Sequence, residues 1–192
     1  MLWFFLQNKS TTSGRNFRGV ALFYSINYST GVFLSDSSEI LSNLPPSLQG
    51  KKLTKFEAKF NALDDVAGGC RFDMQFKEGP DYFYIETKNY AKPTAFSSAF
   101  YNQFKAYISD VGVKNINQLK YFFKANSGVT KAERVQKFKN MLLNGNKYEE
   151  IYNAMSPQLK ASLNIVGLNG KQQLYNLIES ESNLFFNFIE TF

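Results

Sequence analysis

Apolar positions along the chain change period several times, and each change marks an element. Residues 17–34 (FRGVALFYSINYSTGVFL) carry two β-rich runs around Ser29-Thr30-Gly31, the pattern of a hairpin. Ser35 to Gly50, with Pro45-Pro46, reads as a connection and a short helix. From Lys51, Leu53, Phe56, Phe60 and Leu63 recur at helical spacing until Gly68-Gly69, which predicts a helix. Cys70–Phe76 and Tyr82–Tyr90 are strand candidates joined by the turn sequence Lys77-Glu78-Gly79-Pro80-Asp81. Pro93 opens a second helix over roughly Thr94–Ser109, and Asn117–Lys124 reads as a further strand. Beyond Ser127-Gly128 the chain reads as helical to its end, broken near Asn144-Gly145, Ser156-Pro157 and Gly167–Gly170. The order helix, strand, strand, helix, strand predicts an α/β core of mixed sheet with helices against it. The C-terminal third is then a helical appendage, with Leu142, Leu143, Ile151, Tyr152 and Met155 as packing residues.

Composition narrows the chemistry. With 192 residues, 44% of them hydrophobic and 17% aromatic, the chain can bury a sizeable core as one domain with appendages, or at most as two small ones. It has no histidine, which excludes Ser-His-Asp and Cys-His triads, His-ligated zinc and a histidine base. Cys70 is the single cysteine, so the fold depends on no internal disulfide or Cys-rich metal site. Catalysis is left to carboxylates, Lys, Tyr, Ser/Thr, or a metal held by oxygens. The apolar run Met1–Leu6 lacks a basic flank and a small-residue cleavage site, and is too short to span a bilayer, so a soluble protein is expected.

Charge is distributed unevenly. The net charge of +6 contains a basic stretch over 114–147 with eight cations and one acid, followed by 148–192 with two cations and five acids. Lys120, Lys124, Lys131 and Arg134, interleaved with Tyr121, Phe122 and Phe123, are the candidate contacts to a nucleic-acid backbone. A solvated helix face that keeps the protein soluble explains the same charges, and the acidic tail could instead fold back over them.

The two middle strands carry the candidate chemistry. Alternation groups Cys70, Phe72, Met74 and Phe76 on one face and Arg71, Asp73 and Gln75 on the other. On the second strand Tyr82, Tyr84, Glu86 and Lys88 share a face. Pairing through the Gly79-Pro80 turn sets Asp73 beside Glu86 and Lys88. Two such carboxylates suit a hard divalent cation, Mg²⁺ or Mn²⁺, completed by water and a substrate phosphate. Lys88 would point at the same spot, to orient the attacking water or stabilise charge on the phosphate. Glu-x-Lys by itself carries little, since Glu57-Ala58-Lys59 repeats it, and a cross-strand ion pair on a solvated face also explains these residues. Glu57, on the expected helix, borders its apolar stripe and needs a partner; Gln103 and Tyr107, at i and i+4, share a face of the second helix.

In this order, Glu57, Asp73, Glu86-Thr87-Lys88 and Gln103…Tyr107 resemble the PD-(D/E)XK nuclease superfamily, in its branch with a Q-x-x-x-Y helix, similar to nuclease domains of bacterial polymorphic toxins. The likeness covers about residues 51–124. It implies a restriction-endonuclease-like αβββαβ mixed-sheet core over 51–126, with a β-rich extension over 1–50 and a helical region over 127–192 in one compact unit. It assigns Asp73, Glu86, the Thr87 carbonyl and Glu57 to the metal, Lys88 to catalysis, and Gln103 with Tyr107 to the helix motif. Phe72 stands where the motif's proline would be. The core's third strand is expected near Val66–Cys70, unless Cys70–Phe76 follows an unusual helix junction. The function implied is a Mg²⁺-dependent nuclease acting on nucleic acid, DNA before RNA. The same likeness suggests a secreted effector toxin acting in a target cell's cytoplasm and countered by an immunity protein. A catalytically idle nucleic-acid-binding module and a secreted protein-interaction domain are the readings from other classes.

Overall fold

The structure, a computed structural model, describes residues 36–59, 71–90, 95–110, 112–124 and 128–192. The hairpin expected over 17–34, Cys70 and the Pro93 helix start lie outside them. The fold is α+β. A first helix, α1, is helical over the described residues 36–42. Three strands follow, β1 (Lys52–Lys59), β2 (Arg71–Glu78) and β3 (Asp81–Lys88), then helix α2 (Ser98–Ser109) and strand β4 (Leu119–Phe123). Five helices come next: α3 (Lys131–Leu143), α4 (Lys147–Ala154), α5 (Pro157–Ser162), α6 (Gly170–Glu179) and the short α7 (Asn183–Phe186). The chain closes on strand β5 (Ile189–Thr191). The sheet order is β1-β2-β3-β4-β5, antiparallel from β1 to β3 and parallel from β3 to β5.

Two sequence expectations are corrected here. Over its described residues the helix expected from Lys51 is strand β1, which makes three strands before α2; Phe60, Leu63 and the strand expected near Val66–Cys70 lie outside the described residues. Its ladder to β2 shifts register between Leu53 and Lys55. The irregularity inserts one residue, so Leu53 and Phe56, three apart, both reach the same buried cluster. A bulged strand thus imitates helical spacing. The second correction is at the far end, where β5 pairs with β4 and makes the last residues part of the sheet rather than of a helical appendage.

The sheet has a core on each side. On one, Met74, Phe76, Ile85 and Phe122 pack with Ile40 and Leu48 from the α1 region. On the other, Tyr121, Phe123 and Ile189 meet Phe104, Phe138, Leu142 and Ile178 from α2, α3 and α6. β4 is buried at all five positions, as a strand flanked on both edges and covered on both faces must be. α2 starts at Ser97, whose hydroxyl accepts from the Phe100 N–H, and it buries Phe100, Phe104 and Ile108 at four-residue steps. That orientation leaves Gln103 and Tyr107 together against β3. Among the described residues no helix is long and apolar enough to cross a membrane.

Candidate active site

Glu86 sits in the middle of the sheet on β3, 3% exposed, under helix α2. Three side chains converge on its carboxylate. Lys88 Nζ donates to Oε1 at 2.5 Å, Gln103 Nε2 donates to Oε1 at 3.0 Å, and the Tyr107 hydroxyl donates to Oε2 at 2.8 Å. Lys88 comes from the same strand face two residues on, while Gln103 and Tyr107 come from adjacent turns of α2. The Lys88 ammonium also lies 5.9 Å from the centre of the Phe100 ring.

Asp73 approaches from β2. The β2–β3 ladder ends at Met74↔Ile85, and at Asp73 the side chain takes over: Oδ2 accepts from both the Thr87 N–H and the Thr87 hydroxyl, each at 2.6 Å. A backbone donor on a sheet needs an acceptor, and a carboxylate fills that role where the strands part. Alternation also breaks here, which corrects the expected face of Phe72. Its ring leaves the Met74 and Phe76 side and packs 4.5 Å from Tyr84 and 4.0 Å from Tyr107, clamping the tyrosine that holds Glu86.

These contacts set the protonation pattern. Burial, then the nearby Asp73 charge, push the Glu86 carboxyl up to about 7, although Lys88 and Tyr107 work against that rise. Burial opposes the Lys88 charge, but the Glu86 carboxylate outweighs it and holds the ammonium above its usual value. Lys88 therefore keeps its proton, and Glu86 is the member of the pair that titrates near neutrality. Tyr107 is driven far upward by burial and by Glu86, so it is a hydrogen-bond donor at any working pH.

Glu57 lies on strand β1 and not on a helix. Its place in the ladder falls between Phe56↔Met74 and Ala58↔Phe72, the position opposite Asp73. Among the described residues no group of three or more acidic or cysteine side chains stands together as a metal cage. The donor set is two carboxylates, Asp73 and Glu86, with the oxygens of Thr87 alongside. That fits Mg²⁺, which keeps several waters and is bound through one or two carboxylates plus substrate phosphates.

Two of the four expected nucleic-acid contacts, Lys120 and Arg134, are buried. Lys120 is 4% exposed on β4, donates to the Asn187 carbonyl at 2.8 Å and pairs with Glu190 at 3.0 Å. Arg134 is fully buried, donates to the Tyr90 carbonyl at 2.7 Å and stacks over Phe123. Lys124 pairs with Asp36 and Glu39, and Lys139 with Glu179 and Glu181. Lys131, at the start of α3, is exposed. The acidic tail folds back over Lys120 and Lys139, while Asp36 and Glu39 hold Lys124 and Arg134 is buried against Tyr90 and Phe123, so four of the eight are spent inside the fold. The sequence reading missed the Thr87 hydroxyl and the Phe72 clamp. Thr87 was visible as the residue between Glu86 and Lys88, but its pairing with Asp73 depends on where the ladder stops.

No protein-family model, no curated protein and no solved structure matches this chain.

Proposed function

We propose that the chain is a metal-dependent nuclease of the PD-(D/E)XK type, hydrolysing phosphodiester bonds of nucleic acid. The observation that carries this is the convergence of Lys88, Gln103 and Tyr107 on one buried carboxylate, Glu86, with Asp73 close enough to raise its pKa. A cross-strand ion pair on a solvated face, the competing explanation, would be exposed; this one is buried and tied to a helix. The order helix, three strands, helix, strand over 36–123 supports the restriction-endonuclease-like reading of the core.

Asp73, Glu86 and the Thr87 carbonyl would hold the divalent cation, which when bound supplies Lewis-acid stabilisation of phosphate charge. The chain's own residues do the rest. Gln103 and Tyr107 fix the Glu86 carboxylate from two directions, so its oxygens are preorganised. Thr87 fixes Asp73 through two hydrogen bonds to one oxygen, leaving the orientation of the other set by the same geometry. Lys88, cationic and beside Glu86, stabilises negative charge developing on the phosphate and orients the attacking water by donating a hydrogen bond.

The test is digestion of supercoiled plasmid and of total RNA by wild type and Glu86→Gln, each with Mg²⁺ and with EDTA. Loss of plasmid or RNA only with wild type and Mg²⁺ is expected. Cleavage that persists in EDTA or in Glu86→Gln removes the site from the mechanism.

A further inference from the structure

Among the described residues, helices cover only part of the sheet face that carries Glu86. Over β3 to β5, α2 and α3 pack on Tyr84, Tyr121, Phe123 and Ile189. On β1 and β2 the same face carries lysines. Lys52 stands opposite Lys77, and Lys55 stands opposite Gln75, which is itself opposite Tyr84. Lys52, Lys55 and Lys77 are all exposed. At the other end of the ladder Lys59 stands opposite Arg71.

Like charges directly opposite each other destabilise an antiparallel ladder. This one has such a pair, Lys52↔Lys77. β1 is an edge strand among the described residues, and lysines on an edge discourage strand addition. Edge protection accounts for lysines on β1. It does not account for Lys77 on the inner strand, placed opposite Lys52. An anionic ligand across the ribbon accounts for both strands. The acids of the ribbon lie at its two ends: Asp73, with Glu57 opposite it in the ladder, towards the site, and Glu78, which pairs with Lys51 at 2.9 Å and stands opposite Asp81, at the hairpin tip. Tyr82, opposite Lys77, is 38% exposed, and the Lys77 ammonium lies 5.3 Å from its ring centre. Lys55 is two strands across and two residues along from Glu86. By strand geometry that is about 12 Å, a span of a few nucleotides at about 3.4 Å each.

We infer that the open β1–β2 face, through Lys52, Lys55 and Lys77, is the track on which the phosphate backbone of a nucleic-acid strand lies beside the Asp73–Glu86 site, with the Tyr82 ring as a stacking face for one base. This deepens the nuclease reading and rests on it for the nature of the ligand. It also moves substrate binding away from the cations of 114–147, half of which the fold engages.

The experiment is fluorescence anisotropy with a labelled single-stranded DNA of about 20 nucleotides, long enough to cover the track, in EDTA across a salt series. Lys52→Ala/Lys55→Ala/Lys77→Ala is expected to bind at least about tenfold more weakly, and its slope of log affinity against log salt should be smaller by about 2, at about 0.7 per lysine. The single Lys55→Ala variant should lose about 0.7 of slope, which keeps the test sound if the triple variant unfolds. Tyr82→Ala should weaken binding about fivefold or more with the slope unchanged. A control of equal charge loss, Lys114→Ala/Lys160→Ala/Lys171→Ala, should bind as wild type does. Wild-type affinity and slope in the β1–β2 variants would overturn the track, and if wild type still cleaves with Mg²⁺ the nuclease reading stands without it. Lysine-dependent binding by a wild type that never cleaves keeps the track and overturns the nuclease. A wild type that neither binds nor cleaves overturns both.

Discussion

Tyr107→Phe removes one hydroxyl and leaves the ring that packs 4.0 Å from Phe72. The variant therefore isolates the 2.8 Å hydrogen bond to Glu86 Oε2. That oxygen is buried, so no water is at hand to replace the donor. When Glu86 is ionised the bond is charge-assisted, and its loss should cost about 1.5–3 kcal/mol. When Glu86 is protonated it is an ordinary hydrogen bond, with a cost of about 0.5–1.5 kcal/mol. Glu86 changes state at about pH 7, so the penalty must grow with pH. For a domain of this size 1 kcal/mol shifts Tm by about 2–4 °C. The variant should then melt about 3–12 °C below wild type at pH 8.5, and less than half as far below it at pH 5.5. The assay is thermal unfolding followed by circular dichroism, in EDTA, so that no cation contributes. An equal Tm loss at both pH values, or none at pH 8.5, would refute the assignment of Tyr107 as the donor that stabilises ionised Glu86.

Glu86 should also be visible in the pH dependence of stability. Its folded pKa is raised from 4.5 to about 7, so the proton favours the folded state, and the stability this group contributes is present below pH 4.5 and lost as pH rises through 7. In EDTA the Tm of Glu86→Gln minus that of wild type should therefore rise across that window; a constant difference would contradict it. Lys88→Ala should keep its fold and its Mn²⁺ affinity, measured by calorimetry, while the cleavage rate falls about 10²–10³-fold, the usual loss for one preorganised donor. An unchanged rate would remove Lys88 from the mechanism. Lys120→Met leaves Glu190 and the Asn187 carbonyl without their buried cation and should cost about 2–3 kcal/mol in urea unfolding. It should leave DNA affinity untouched, and a selective loss of affinity would restore Lys120 to the surface strip.

The parts of the site that were legible in the sequence are those that depend on one element. Strand alternation alone puts Tyr84, Glu86 and Lys88 on one face, and the four-residue step alone puts Gln103 beside Tyr107. What failed depends on two elements meeting. The β1 irregularity makes Leu53 and Phe56 share a face at helical spacing, so the pattern of this strand matches that of a helix. The end of the β2–β3 ladder at Met74 turns Phe72 to the other face and gives Asp73 to Thr87. Lys120 looked like a surface cation because its partner, Glu190, lies 70 residues along the chain. The β5 segment, three residues long, is too short to show a period at all. The lysine face of the β1–β2 ribbon is of the same kind: Lys52 and Lys77 become neighbours only through the register.

The proposed phosphodiesterase site of Asp73 and Glu86 is tested most sharply by the first-order rate of plasmid nicking by Asp73→Asn at saturating Mg²⁺, beside wild type, with both proteins shown to be folded by their melting curves. Nicking by the variant should fall by about three orders of magnitude or more, as expected when a cation ligand is lost, while wild-type nicking should stop on addition of EDTA. Nicking by Asp73→Asn at the wild-type rate would contradict the proposed site.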